Sequence, residues 1–273
     1  MSNRESKSKL HKMMYGHGEI WDTLLCGAAE FAGTAMLVLL GCGGCIGSLG
    51  IVPSYLQANL TFGLAVMIVI QCFGHISHAH VNPAITVGSI VLGKKSIAEG
   101  LVYLVAQMLG SVMGYGLLKL ITPTGMMFHD SPEAAHNFCI TALNPMISTA
   151  QGLMAEILAT MVLMAIACAV WDKRNEINTD STALRFGLAV SCLAMVFGKY
   201  TGCSMNPARS FGPAIWNNSW SEHWVYWFGP ITGSALAAAL YRVAFGIKED
   251  NNELQVPEAV GLNYIDADKP ERV

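Results

Sequence analysis

Two carboxylates, one guanidinium and a pair of asparagines stand in stretches of this sequence that are otherwise almost wholly apolar. Glu30 lies in Ala29-Glu30-Phe31 and Glu156 in Ala155-Glu156-Ile157. A carboxylate in such a segment is costly to desolvate, so it is normally paired, hydrogen-bonded or functional. A proton relay is one use for it. Accepting backbone N–H bonds from a nearby loop is the other, and the matching settings of the two glutamates favour that bracing role, with Gln107 in a similar part. Arg209 poses the same problem with the opposite sign, since a charge at membrane depth needs partners or water. It directly follows Asn206-Pro207-Ala208, and the same tripeptide occurs earlier as Asn82-Pro83-Ala84. Asparagine caps a helix and proline fits its first turn, so each tripeptide starts a helix. Each opens an apolar run (about 83–93 and 207–216) too short to cross a bilayer, which takes about 20 residues.

Other groups with chemistry to offer are His75, His78 and His80, and eight cysteines: Cys26, Cys42, Cys45, Cys72, Cys139, Cys168, Cys192 and Cys203. The histidines could suggest a metal site, but packing of the loop before the first short helix explains them more simply. His78 is the one expected to titrate near neutral pH, with a modest effect at most. No cysteine spacing repeats like a zinc knuckle, and most of the eight flank apolar segments, so they read as isolated small apolar side chains. No nucleophile or acid–base pair converges with these groups, which argues against an enzyme.

The elements that must position these residues are membrane spans. Of 273 residues, 53% are hydrophobic and only 13% charged, and mean hydropathy is +0.43; soluble domains carry about 25% charged residues. The net charge of −3 offers no patch for nucleic acid. Six segments are long and apolar enough to span, about 24–48, 57–74, 100–121, 150–171, 184–200 and 223–246. The fifth ends at Lys199, expected in an outer vestibule. Residues 1–22 read as a polar tail with no cleavable signal, and 247–273 as a polar, acidic one. With the amino terminus inside, 13 of the 16 basic residues fall on the inner side, so both tails are expected to be cytoplasmic. Asn217-Asn218-Ser219 forms a glycosylation sequon on the outer side.

The two halves repeat. Phe62-Gly63-Leu64-Ala65-Val66 returns as Phe186-Gly187-Leu188-Ala189-Val190, 124 positions later (186 − 62), the same offset as from Asn82 to Asn206 (206 − 82). Val102-Tyr103 with Gly110 is echoed by Val225-Tyr226 with Gly233. Gly110, Gly114 and Gly233 are placed for close helix contact. Three spans per repeat, about 23–121 and 149–246, force the second repeat to enter the membrane upside down. The expected fold is therefore an all-α membrane protein of six transmembrane helices plus two re-entrant half-helices in an inverted repeat. The half-helices would meet amino end to amino end near the midplane. Their positive dipole ends repel cations while offering donors to a neutral oxygen.

At these residues, over about 23–246, the sequence resembles the aquaporin (major intrinsic protein) family. Gly202-Cys203-Ser204-Met205-Asn206-Pro207-Ala208-Arg209-Ser210-Phe211-Gly212-Pro213-Ala214 is close to the family's second signature, and the stretch from His75 to Ala84 resembles the first. The resemblance implies a passive pore, a homotetramer in the lipid bilayer and no cofactor. It also implies a selectivity filter of Phe62, Ala194, Cys203 and Arg209, with the backbone carbonyls of His78, Ala79 and His80 facing the inner pore. Strict water channels usually carry histidine where this chain has Ala194. A small residue there is similar to insect glycerol-conducting channels. Ser210, Ala214, Tyr226 and Trp227, in contrast, match the water-channel pattern. The expected activity is a channel for water and small neutral solutes such as glycerol, with urea a further candidate, in the plasma membrane. The alternatives are a strictly water-selective channel and a secondary transporter. A coupled transporter would need an ionisable midplane site, where this chain offers two neutral asparagines.

Overall fold

The computed structural model describes residues 20–47, 52–127 and 138–246. Among them are eight α-helices: α1 (Ile20–Gly43), α2 (Tyr55–Ser77), α3 (Pro83–Leu92), α4 (Ile97–Ile121), α5 (Thr149–Val170), α6 (Thr182–Thr201), α7 (Pro207–Asn217) and α8 (Val225–Phe245). No strand occurs among the described residues. The tail expected over 1–22 is shortened at its end, because Ile20, Trp21 and Asp22 already belong to the first turn of α1. Residues 1–19 and the tail 247–273 lie outside the described residues. So do Asp130 and Glu133 of the long connection after α4.

Five helices, α1, α2, α4, α5 and α6, are long and apolar enough to cross a membrane. Helix α8 has 21 residues, enough to span at 1.5 Å per residue. Their outward faces keep large apolar side chains exposed, among them Leu101, Val105 and Leu109 along α4 and Leu236 and Leu240 on α8. Such faces suit lipid or a neighbouring subunit rather than water.

Packing follows the repeat. Within the halves, α1 packs along α4 and α5 along α8; between them, α2 packs against α6. Each short helix crosses to the last long helix of the other half, α3 to α8 and α7 to α4. Those crossings are close because glycine faces serine at both. A Cβ at Gly88 of α3 would stand 2.3 Å from Ser234 Oγ, and one at Gly212 of α7 2.2 Å from Ser111 Oγ. Gly110 and Gly233 do the same within each half, lying against the backbone carbonyls of Phe31 and Ile157. Small residues thus let backbones approach where polar contacts must be made inside lipid.

At one end of the molecule the basic residues gather on helix ends. Lys94 Nζ donates to Trp171 O (3.2 Å), Arg174 Nη2 to Phe245 O (2.8 Å) and Arg242 Nη1 to Val91 O (3.2 Å). These cations sit on carbonyl ends of α3, α5 and α8, where the helix dipole and the unpaired acceptors favour them.

Candidate functional site

The sequence folds locally into two half-helices for the reason its capping residues gave. Asn82 precedes α3 in extended backbone and its Oδ1 accepts from Ala84 N; Asn206 precedes α7 and accepts from Ala208 N and Arg209 N. Pro83 and Pro207 occupy the first helical turn, where a missing N–H costs nothing. The loop leading into each helix is contorted in the same way. His78, Ala79 and Val81 take positive φ values of 66°, 46° and 41°, and Gly202, Cys203 and Met205 take 75°, 46° and 52°. These pairs are again 124 apart, so the sterically unfavourable turn is a shared device of both halves.

The two glutamates hold those loops in place. Glu30 Oε1 accepts from Ser77 Oγ (2.6 Å) and His80 N (2.9 Å), and Oε2 from Val81 N (2.6 Å) and Gln107 Nε2 (2.7 Å). Glu156 accepts from Thr201 Oγ1 (2.6 Å), Ser204 N (2.8 Å) and Met205 N (2.8 Å). Both carboxylates are completely buried, and each is the acceptor in every one of these bonds. Their energy is drawn from charge-assisted hydrogen bonds to backbone that would otherwise be orphaned. Each glutamate thus ties the loop before a half-helix to a long helix of its own half. Gln107 adds to this by also donating to Thr86 Oγ1 (3.0 Å).

Two cavities meet at the helix tips. One, of about 220 Å³, is lined by Phe62, Ala194, Cys203 and Arg209 together with Asn82 and Asn206. The other, of about 570 Å³, is lined by His75, His78, Ala79, His80 and Val81, and again by Asn82 and Asn206. Leu37, Val66, Leu163 and Val190 also border both, so the shared zone is an apolar wall with two amides in it. The four residues expected to form a filter therefore border one lumen. Arg209 is only 8% exposed; its Nη1 donates to Cys139 O (2.8 Å), and its Cζ lies 4.6 Å from the centre of the Phe62 ring. Cys203 Sγ donates to Leu193 O (3.4 Å), beside Ala194.

The histidines divide. His80 is packed between the rings of Tyr103 (5.2 Å) and Trp171 (5.3 Å), with Nδ1 3.2 Å from Thr86 Oγ1. His75 and His78 border the larger cavity. Lys199 is exposed, and the smaller cavity is lined by its neighbour Gly198 instead.

Several contributors escaped sequence reasoning. Tyr55 OH donates to the carbonyls of Ala194 and Met195 (3.1 Å each), holding the backbone behind the small filter position. Ser111 Oγ donates to Ala208 O in the second tripeptide. Tyr103 OH donates to Ser77 O (2.9 Å) and Tyr226 OH to Thr201 O (3.1 Å), one tyrosine behind each loop. The repeated Val-Tyr pair was the available signal for the tyrosines.

One sequence expectation needs correction. The cysteines are not all isolated: Cys42 and Cys139 form a disulfide across 97 positions, with Cα atoms 5.5 Å apart. Composition could not reveal this, because Cys42 ends an apolar span and Cys139 lies in a loop. The sequon, whose use the sequence leaves open, lies at the buried end of α7. Asn217 is 6% exposed, and its Nδ2 donates to Tyr115 OH (2.8 Å) and Phe138 O (3.1 Å), so the nitrogen a glycan would need is already committed.

Comparison with known proteins agrees with this geometry. The family model described as "MIP: Major intrinsic protein" matches residues 19–241. Aquaporin-4 of Mus musculus is 40% identical over 222 residues, 80% of this chain. The chain spans 66% of that relative's length, just under two thirds. Lens fiber major intrinsic protein of Ovis aries is 39% identical over 217 residues, 78% of each chain. The solved aquaglyceroporin from Plasmodium falciparum superposes with a TM-score of 0.70 at 25% identity, covering 80% of this chain and 95% of that one. With the paired half-helices, the braced loops and the shared lumen, these matches establish that the chain belongs to the major intrinsic protein family, a family of membrane channels and not of enzymes.

Proposed function

We propose that this protein is a passive channel for water and small neutral solutes such as glycerol, with urea a further candidate. The observation that carries the reading is the lining of the smaller cavity. Phe62, Ala194, Cys203 and Arg209 border the lumen that also touches Asn82 and Asn206. Arg209 and the asparagine amides supply donors, while Phe62, Val66, Leu163, Val190 and Ala194 supply apolar surface. A polyol needs both, since its hydroxyls replace water while its carbon backbone lies on apolar surface. Ala194 leaves room that an imidazole would take, which favours glycerol over strict water selectivity.

Cations are excluded in this reading by the two half-helix amino ends and by Arg209. The cytoplasmic side is the end that gathers Lys94, Lys95, Lys173, Arg174 and Arg242, and the plasma membrane is the proposed location. The exposed apolar faces of the long helices suit a homotetramer with one pore per subunit. A secondary transporter is disfavoured because the groups where the cavities meet are neutral amides. Stopped-flow swelling of proteoliposomes in an inward glycerol gradient tests the proposal. Glycerol entry no faster than through protein-free lipid would sink the solute reading, and saturation with a high activation energy would sink the pore.

A further inference from the structure

The disulfide lies beside the lumen, and what its loop cysteine does there is specific. Cys139 O is the one protein acceptor for the guanidinium of Arg209 among the described residues, at 2.8 Å. The same Cys139 has φ of +57°, a left-handed conformation that a residue with a Cβ rarely adopts unless its surroundings impose it. The left-handed turn at Cys139 separates two carbonyls with different partners. Phe138 O accepts from Tyr115 OH (2.9 Å) and Asn217 Nδ2 (3.1 Å), toward α4 and α7, whereas Cys139 O reaches Arg209. Downstream, Thr141 Oγ1 is 2.8 Å from Ser210 Oγ. Hydrogen bonds therefore hold the chain on both sides of the turn. The residue that makes the turn is held covalently, to Cys42 in the last turn of α1.

We propose that the Cys42–Cys139 disulfide is a positioning element of the channel: by fixing the left-handed turn at Cys139, it keeps that carbonyl on Arg209 and the guanidinium drawn against the wall of the lumen. Cys42 and Cys139 are positioning residues in this scheme. Only Cys139 lines the cavity, as Cys42 is fully buried. Reduction converts the bond to two thiols and leaves the turn without its covalent support: an added phosphine attacks one sulfur and breaks S–S, and water then releases phosphine oxide and protonates both thiolates. Arg209 then loses its acceptor and enters the space that Ala194 leaves open. Glycerol, which needs that space, suffers more than water. An outer-side location keeps the bond in an oxidising environment.

The inference rests on the proposed solute pathway, and its test separates the two. Non-reducing peptide mass spectrometry of the purified full chain comes first; finding both cysteines as free thiols would overturn it. Water and glycerol permeabilities are then measured in proteoliposomes for the wild type before phosphine, after it and after re-oxidation, with Cys42→Ser as a second route to the open state. Loss of a hydrogen bond to a charged group depopulates the held arginine about tenfold, so the glycerol-to-water ratio is expected to fall by about threefold or more. Re-oxidation should restore the wild type and leave Cys42→Ser unchanged. An unchanged ratio overturns the proposal. So does a proportional fall of both fluxes with a loss of folded protein by thermal scan, which would make the bond a stability clamp alone. If the oxidised wild type passes water but no glycerol, the solute reading fails by itself. The disulfide's role is then read from water flux, which must drop at least about twofold on reduction for the positioning role to stand.

Discussion

Asn82 and Asn206 each donate a side-chain N–H to the backbone carbonyl that precedes the other. Asn82 Nδ2 reaches Met205 O and Asn206 Nδ2 reaches Val81 O, both at 2.8 Å. Each Oδ1 meanwhile caps its own half-helix. An asparagine amide has two N–H donors, so one on each residue remains for the lumen. The reciprocal pair ties the two helix tips together and orients the remaining donors at once. A water between them accepts from both and must donate elsewhere, which interrupts a proton wire. Asn82→Asp keeps a capping oxygen but removes both donors and adds negative charge. Proton or cation leak, read with a pH-sensitive dye in vesicles, is expected to rise above wild type while water flux falls.

Ala194 sets the room in the lumen. Ala194→His is expected to retain water flux within about twofold and to cut glycerol flux by about tenfold, the scale of a wrongly filled pocket. Paired stopped-flow traces on the two proteins decide it. Equal glycerol flux would mean that selectivity lies elsewhere.

The glutamates are structural at a cost that can be measured. Glu156→Ala strands two loop N–H groups and the Thr201 hydroxyl without an acceptor. Leaving them buried and unsatisfied costs roughly 3 kcal/mol or more. A clear loss of thermal stability in detergent is expected, with Glu156→Gln intermediate, because one amide oxygen remains to accept.

His78 borders the larger cavity, and the smaller surface pocket that it shares with His80 also contains Lys94, Lys95, Asp172, Lys173 and Glu176. A proton on His78 adds charge to a rim that already holds several cations. Burial, with Lys95 and Lys94 nearby, holds the His78 imidazole below its ordinary value, so it gains its proton only toward the acid end; permeability between pH 8 and 5.5 is expected to vary by no more than about twofold in the wild type, at that acid end, and to be flat in His78→Ala. The same pH response in both proteins would remove His78 from consideration.

Asn217 should carry no glycan. Expression in a glycosylating host followed by glycosidase treatment is expected to leave the band unmoved. Asn217→Asp removes the donor to Tyr115 and Phe138, and should loosen the loop that carries Cys139.

The sequence by itself determined the plan of this molecule. The 124-residue offset, the two Asn-Pro-Ala starts and the apolar segment lengths supplied an inverted repeat of six long and two short helices. They did so because capping, period and span length are local properties of a chain in lipid. That the two glutamates need hydrogen-bond partners was legible too, since an ionisable group in an apolar segment has few ways to survive there. What only the tertiary structure decided are the choices among distant partners. Cys139 pairs with Cys42 at a separation of 97, Asn206 with Val81 at 125, and Tyr55 with Ala194 at 139. None of these choices leaves a periodic trace, because each depends on where folded helices bring a thiol, an amide or a hydroxyl. For the same reason the lone-cysteine reading failed. Burial of Asn217 and oxidation of Cys42 are set by neighbours that packing brings together, not by residues adjacent in the chain.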